Sequence, residues 1–268
     1  MNGELAQLIA LVAHGNYFLT HPEIHSLDLS TNSTFNFVNS LCFALYKNKS
    51  ETKGTEIASS VADWFTILRQ QGVKRLWNIG FQWDHANIAE HIAVAFSGGV
   101  PIAVESDSTQ DFVLWYPKWT TGGPSGKPWN VEYRGLHFPF SHAIDLMELD
   151  EVKTRLHLAI SQADDFSRHC GLDLSFFADR FTQALNQLDS QKPVMPFNQD
   201  LLPECGYGLI SRQVLAAAQL AYVFGGMGSW NDLGFPDPDM QKQYESISNI
   251  LYQALKLAIL MASNTFSC

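Results

Sequence analysis

The segment Leu209–Phe224 is apolar almost all round, and a helix without a wet face is stable only when other elements enclose it. From about Leu146 onward the surrounding sequence shows helical periodicity alone. Val152, Leu156, Ile160, Ala163 and Phe166 form one stripe that ends before Gly171. A second stripe carries Phe177, Phe181, Ala184, Leu185 and Leu188 and breaks near Lys192-Pro193. The last helix, about Asp239–Ala262, puts Met240, Tyr244, Ile247, Leu251, Leu255 and Ala258 on one side. Three amphipathic helices do not by themselves hide a fourth that has no polar face. We therefore expect the first half to supply a further apolar wall, with residues 1–268 forming one integrated domain. The alternative division is a sheet-bearing part, 1–145, and a helical part, 146–268.

In the first half, Leu5, Leu8, Ile9 and Val12 recur at helical spacing and predict a helix over Glu4–Leu19. Thr34–Tyr46 fits two patterns. Phe35, Phe37, Leu41, Phe43 and Leu45 alternate as in a strand, whereas Phe35, Val38, Cys42 and Leu45 suit a helix capped by Ser33 or Thr34, which is the assignment adopted. A polar loop over Lys47–Thr55 precedes a helix over Glu56–Gln71, a strand over Val73–Phe81, a helix over Asp84–Phe96 and a strand over Val100–Glu105. Helix–strand–helix–strand with short links predicts a parallel βαβ unit. Phe112–Trp119 and Trp129–Phe138 read as strands around the Gly/Pro-rich stretch Thr120–Pro128, which predicts an antiparallel hairpin. The expected fold class is mixed α/β (α+β): a small mixed sheet in the first half, with a helical second half packed against it.

The formal charge of −10 weighs against whole classes of partner. Nucleic-acid binding draws on phosphate neutralisation by Lys and Arg, and the longest basic run is the pair Lys74-Arg75. Neither a nucleic acid nor an anionic membrane is expected. Leu5–Ala13 lacks a basic flank on its N-terminal side, which favours a first helix over a signal peptide, and no apolar run reaches the ~18 residues of a membrane span. Cys42, Cys170, Cys205 and Cys268 form no CxxC pair and read as thiols in a reducing compartment. A cytoplasmic location is expected. Charged residues make up only 16%, which leaves room for a partner surface and a possible homo-oligomer.

Chemistry has three candidate locations. A parallel strand over Val73–Phe81 would gather Asn78, Gln82, Asp84 and His85 at its carboxyl end, where open α/β sheets bind ligands. Asp84 can orient His85 as a general acid or base, although Asp84 is equally a natural helix N-cap. Glu105 and Asp107, after the second strand, would then meet them as a second carboxylate pair able to hold a divalent cation. His137, His142 and Asp145 are a third group with metal-ligating side chains but no standard spacing. All but one of the seven tryptophans fall between positions 64 and 129, and Trp115 and Trp119 share a strand face that could stack a planar ligand or pack a core. The order Asp111, Glu132, Arg134 is similar to the carboxylate pattern of metal-dependent nucleases, with arginine at the usual lysine; the acidic net charge opposes it, and it is set aside.

Two functions follow as expectations. The first is an enzyme acting on a small polar molecule by metal-assisted hydrolysis, with His85, Asp84 and Glu105 catalytic, Asn78, Gln82, Asp107, Trp115 and Trp119 binding substrate, and a divalent ion held by His137, His142 and Asp145. The second is a non-catalytic binding or assembly protein that uses the aromatic hairpin.

Overall fold

The computed structural model describes residues 1, 3–80, 90–92, 102–107, 112–138 and 146–267. Six strands, β1 (Val38–Tyr46), β2 (Thr55–Ala58), β3 (Arg75–Gly80), β4 (Ile102–Asp107), β5 (Phe112–Thr121) and β6 (Trp129–Phe138), form one sheet in the order β2-β1-β6-β5-β4-β3. Helices with both ends among the described residues are α1 (Gly3–Thr20), α2 (Val61–Gln70), α3 (Leu149–His169), α4 (Ser175–Asp189), α5 (Leu209–Ala221) and α6 (Pro238–Ser263). The chain is mixed α/β, with parallel and antiparallel strand pairs in the same sheet.

The wall that α5 demands is a bundle and a sheet together. α5 packs on α3, α4 and α6, and every one of its residues from Gln213 to Ala221 is buried. α1 packs on β3, β4, α2 and α6, so it links sheet to bundle, and it is buried continuously from Leu5 to Ala13. One hydrophobic cluster runs from Phe43, Trp64 and Tyr133 at the sheet through Leu8 and Val12 to Leu215, Trp230 and Leu255 in the bundle. Close approach is built in at Gly15, where a Cβ would stand 2.4 Å from Leu76 Cδ1.

Three local assignments change. Thr34–Tyr46 is not a helix. Asn32 caps a short 3-10 turn over Ser33–Phe35, and β1 then runs between β2 and β6. Pairing on both sides of β1 outweighs the weak helical spacing. The helix expected from Glu56 begins at Val61, because 55–58 pair with β1 and Ser60 caps the helix, its Oγ accepting the Asp63 N–H at 3.1 Å. The third change concerns direction. β3 and β4, expected to run parallel, are antiparallel, with Gly80 opposite Ile102 and Arg75 opposite Asp107. The parallel pair is β1 with β6, while the expected hairpin is present as β5 and β6.

The free edge of β3 is closed by side chains. The Asn16 amide donates to the Leu76 carbonyl at 2.9 Å and accepts the Leu76 N–H at 2.7 Å. Asn264 does the same for Asn78, at 2.9 and 2.8 Å. Each amide mimics a strand peptide, so the outward ladder positions at Leu76 and Asn78 are taken.

Candidate ligand-binding site

Antiparallel pairing sets the carboxyl end of β3 against the start of β4, so the two strands do not share the carboxyl end that a parallel unit would offer. Asp84, His85 and Gln82 lie outside the described residues, beyond the end of β3. Glu105 sits inside β4 opposite Trp77 and Leu114, fully buried, and Asp107 pairs at the far end of β3 with Arg75. Along the strand, Asp107 is five residues from the partner of Gly80, about 17 Å at ~3.4 Å per residue.

Asn78 is fully buried, and its Nδ2 donates to Ser263 Oγ at 2.8 Å, so it ties β3 to the end of α6. Trp115 belongs to the core, 5.4 Å from Trp64 in an edge-on contact, with its Nε1 donating to Ser106 Oγ at 3.2 Å. Trp119 is half-buried and packs edge-on against Trp129 at 5.9 Å. His137 is exposed near the end of β6, while His142 and Asp145 lie outside the described residues. Among the described residues no three His, Cys, Asp or Glu side chains gather at metal-binding range.

A different group is brought together, on the sheet face opposite α1 and α2. Ala44 of β1 pairs with Arg134 of β6, and Tyr46 pairs with Leu136. Glu132 and Arg134 are two apart on a strand and share that face. Tyr46 Oη donates to Glu132 Oε1 at 2.5 Å, and Arg134 Nε donates to Glu132 Oε2 at 2.7 Å. The Arg134 guanidinium also lies 4.9 Å from the centre of the Tyr46 ring. One carboxylate thus fixes both a phenol and a guanidinium. Gly54 seats the ring from the other side: a Cβ there would be 2.6 Å from the Tyr46 ring and 2.8 Å from the Leu45 carbonyl oxygen.

These residues border a cavity of about 290 Å³ lined by Tyr46, Asn48, Lys49, Glu51, Tyr116, Arg134 and Leu136. The loop after β1 is tied by its own bonds. Glu51 accepts the Lys47 N–H at 2.7 Å, and Asn48 accepts the Ser50 N–H at 3.0 Å. Arg134 spends Nε on Glu132, and its two terminal nitrogens hold no partner among the described residues.

Burial, the bond to Glu132 and the charge of that carboxylate raise the Tyr46 hydroxyl above the ordinary phenol range. Burial also raises Tyr116, and burial together with Glu132 and Glu56 raises the Cys42 thiol. Burial alone would raise Glu132 as well, but the Tyr46 hydroxyl and Arg134 outweigh it and hold the carboxyl below the ordinary glutamate value.

Sequence reasoning reached Glu132 and Arg134 only through the nuclease-like order, and it missed Tyr46 by assigning its segment to a helix. The available signals were the alternation through Phe35–Leu45 and the i, i+2 pairing of Glu132 with Arg134 on a hairpin strand. Comparison of the chain with protein-family models, with curated proteins and with solved structures returns no match. No helix among the described residues is long and apolar enough to cross a membrane.

Proposed function

We propose that this protein binds a small molecule without transforming it, in the cavity bordered by Tyr46, Tyr116, Arg134 and Leu136. The observation that carries this reading is an arginine already oriented by Glu132 and Tyr46, whose terminal donors are left for a ligand. Holding a recognition group in place beforehand lowers the ordering cost of binding. A volume of about 290 Å³ is at the small end of ligand pockets, which run roughly 300–1,000 Å³, and suits a molecule of one or two rings.

Binding is favoured over turnover by the direction of the titrations. A general acid or base works best with a pKa near the operating pH. Tyr46, Tyr116 and Cys42 are all moved up, away from neutrality, and Glu132 is moved down, also away from it. The hydrolytic alternative at His85 and Asp84 relied on parallel strands to bring Glu105 and Asp107 beside them, and β3 and β4 run antiparallel. A cytoplasmic setting belongs to the same proposal, supported by the free thiols of Cys42, Cys170 and Cys205.

Protein-observed NMR with a library of one- and two-ring fragments tests the site. Hits are expected to shift the resonances of Lys49, Tyr116 and Leu136, and Tyr116→Ala is expected to weaken them at least about tenfold by removing a wall of the pocket. Hits that cluster elsewhere, or that bind Tyr116→Ala unchanged, would overturn the proposal.

A further inference from the structure

Resting on the binding reading above, we infer that the ligand is a planar aromatic monocarboxylate, held by the outer fork of Arg134 and sandwiched by the apolar walls of the cavity. Three observations converge on this class. The first is the shape of the donors. With Nε given to Glu132 at 2.7 Å, the donors left on Arg134 are the paired terminal nitrogens, whose spacing matches the two oxygens of a carboxylate.

The second is the local charge. Among the described residues Arg134 and Lys49 are the cations that line the cavity, Glu51 lines it with them, and Glu132 stands directly behind Arg134. With Lys118 opposite Glu132 and Glu56 opposite Ala44 on the same face, three cations against three carboxylates among the described residues leave a nearly neutral site. One added negative charge is tolerated at the fork, whereas a phosphate near −2 would meet Glu51 and Glu132 with little to offset it.

The third is the wall. Tyr46, Tyr116 and Leu136 present two aromatic rings and one branched apolar side chain, surfaces that favour a flat apolar body over a polyhydroxylated one. The Tyr46 hydroxyl is already donated to Glu132, and Arg134 and Gly54 flank its ring, so this tyrosine contributes an apolar ring edge rather than a hydrogen bond.

The test is a calorimetric titration of the intact chain with 2-naphthoate, its neutral counterpart 2-naphthamide, and phenyl phosphate. Naphthoate is expected to bind about 10- to 100-fold more tightly than naphthamide, the range of one charge-assisted bidentate contact. Phenyl phosphate is expected to be weaker than naphthoate. Arg134→Gln should bring the carboxylate down to about the affinity that the natural chain has for the amide, while Lys49→Gln, on the rim, should cost only a few-fold. If Arg134→Gln does not fold, the comparison of the three ligands on the natural chain decides alone. Equal affinity for acid and amide, or a preference for the phosphate, would overturn the ligand class and leave the cavity as a binding site. If none of the three shifts Tyr116 or Leu136 by NMR, the binding reading itself fails.

Discussion

β1 and β6 present opposite solutions on their two faces. Inward, Phe43 stacks on Trp64 at 4.2 Å and on Tyr133 at 5.1 Å, and Tyr133 Oη donates to Gln7 Oε1 at 2.7 Å in a fully buried setting. Outward, the same strands present Tyr46, Glu132 and Arg134, a phenol bonded to a charge beside a cavity. Successive side chains on a strand point to opposite faces, so a single stretch of sequence builds both. The inner face satisfies its polar atoms with a neutral amide, because an unpaired charge in a dry core is expensive. The outer face keeps its charges, because water reaches them and their attraction is available to a ligand. Stability is expected to depend mainly on the first face and binding on the second.

The largest effect should come from Trp64→Ala. Trp64 is fully buried against Phe43, Phe65 and Trp115, and removing a buried tryptophan costs about 3–5 kcal/mol. For a chain of this length that corresponds to a fall in Tm of about 10 °C. Tyr116→Ala, on the outer face, should cost about 1 kcal/mol and yet abolish most ligand binding. Calorimetric melting of both variants would break the comparison if the two losses came out equal.

Two glutamates sharpen it next. Burial pushes Glu4, at the start of α1, up to about 7 from an ordinary 4.5, and its charge acts on Tyr133 at the inner face. Glu132 is held low by its partners outside. An acid raised on folding stabilises fully below its unfolded value and loses that contribution as pH climbs through the folded value. The chain should therefore lose up to roughly 3 kcal/mol between pH 4.5 and 7 through Glu4 alone. His14 and His91, lowered mainly by burial, act in the opposite sense, so the readout is the difference between Glu4→Gln and the natural chain. Denaturant melts at pH 5 and pH 8 should show Glu4→Gln gaining relative stability at the higher pH. No change in that difference would mean that Glu4 is not desolvated. Glu132 behaves the other way, contributing above the ordinary glutamate value and losing that contribution as pH falls.

How far the sequence revealed these faces depended on the strength of its periodicities. The stripe Val152–Phe166 and the hairpin strands around Trp115 and Tyr133 were legible because many residues repeat in phase. β2 was not, since four residues, Thr55–Ala58, carry too short a pattern to separate from the helix that follows. Strand direction left no local trace either. A helix between two short strands reads identically whether the second strand returns parallel or antiparallel, and only the register of Trp77 against Glu105 distinguishes them. The position of Glu105 was hidden for the same reason. Glu105 looked like a residue at a strand end, but it faces Leu114 inside the sheet. Tyr46 and Arg134 are 88 positions apart, and they meet only because β1 and β6 are parallel neighbours.

The smallest effect tests the two tyrosines directly. Tyr133→Phe removes the donor to Gln7, whose side chain is fully buried and also donates to the Thr34 carbonyl at 3.2 Å. The orphaned Gln7 oxygen finds no water, so the loss should be about 1–3 kcal/mol. Tyr46→Phe removes a bond of similar length from Glu132, but that carboxylate is about a quarter exposed, with 27% of its side-chain surface open. Water and Arg134 can take up the freed oxygen, and the expected loss is about 0.5 kcal/mol. The outer variant should instead move chemistry: without the phenol donor, the Glu132 carboxyl should titrate higher, which NMR of its side chain can follow. Equal stability losses for the two hydroxyls would mean that the outer face is as dry as the core. In that case the cavity could not exchange water for a ligand.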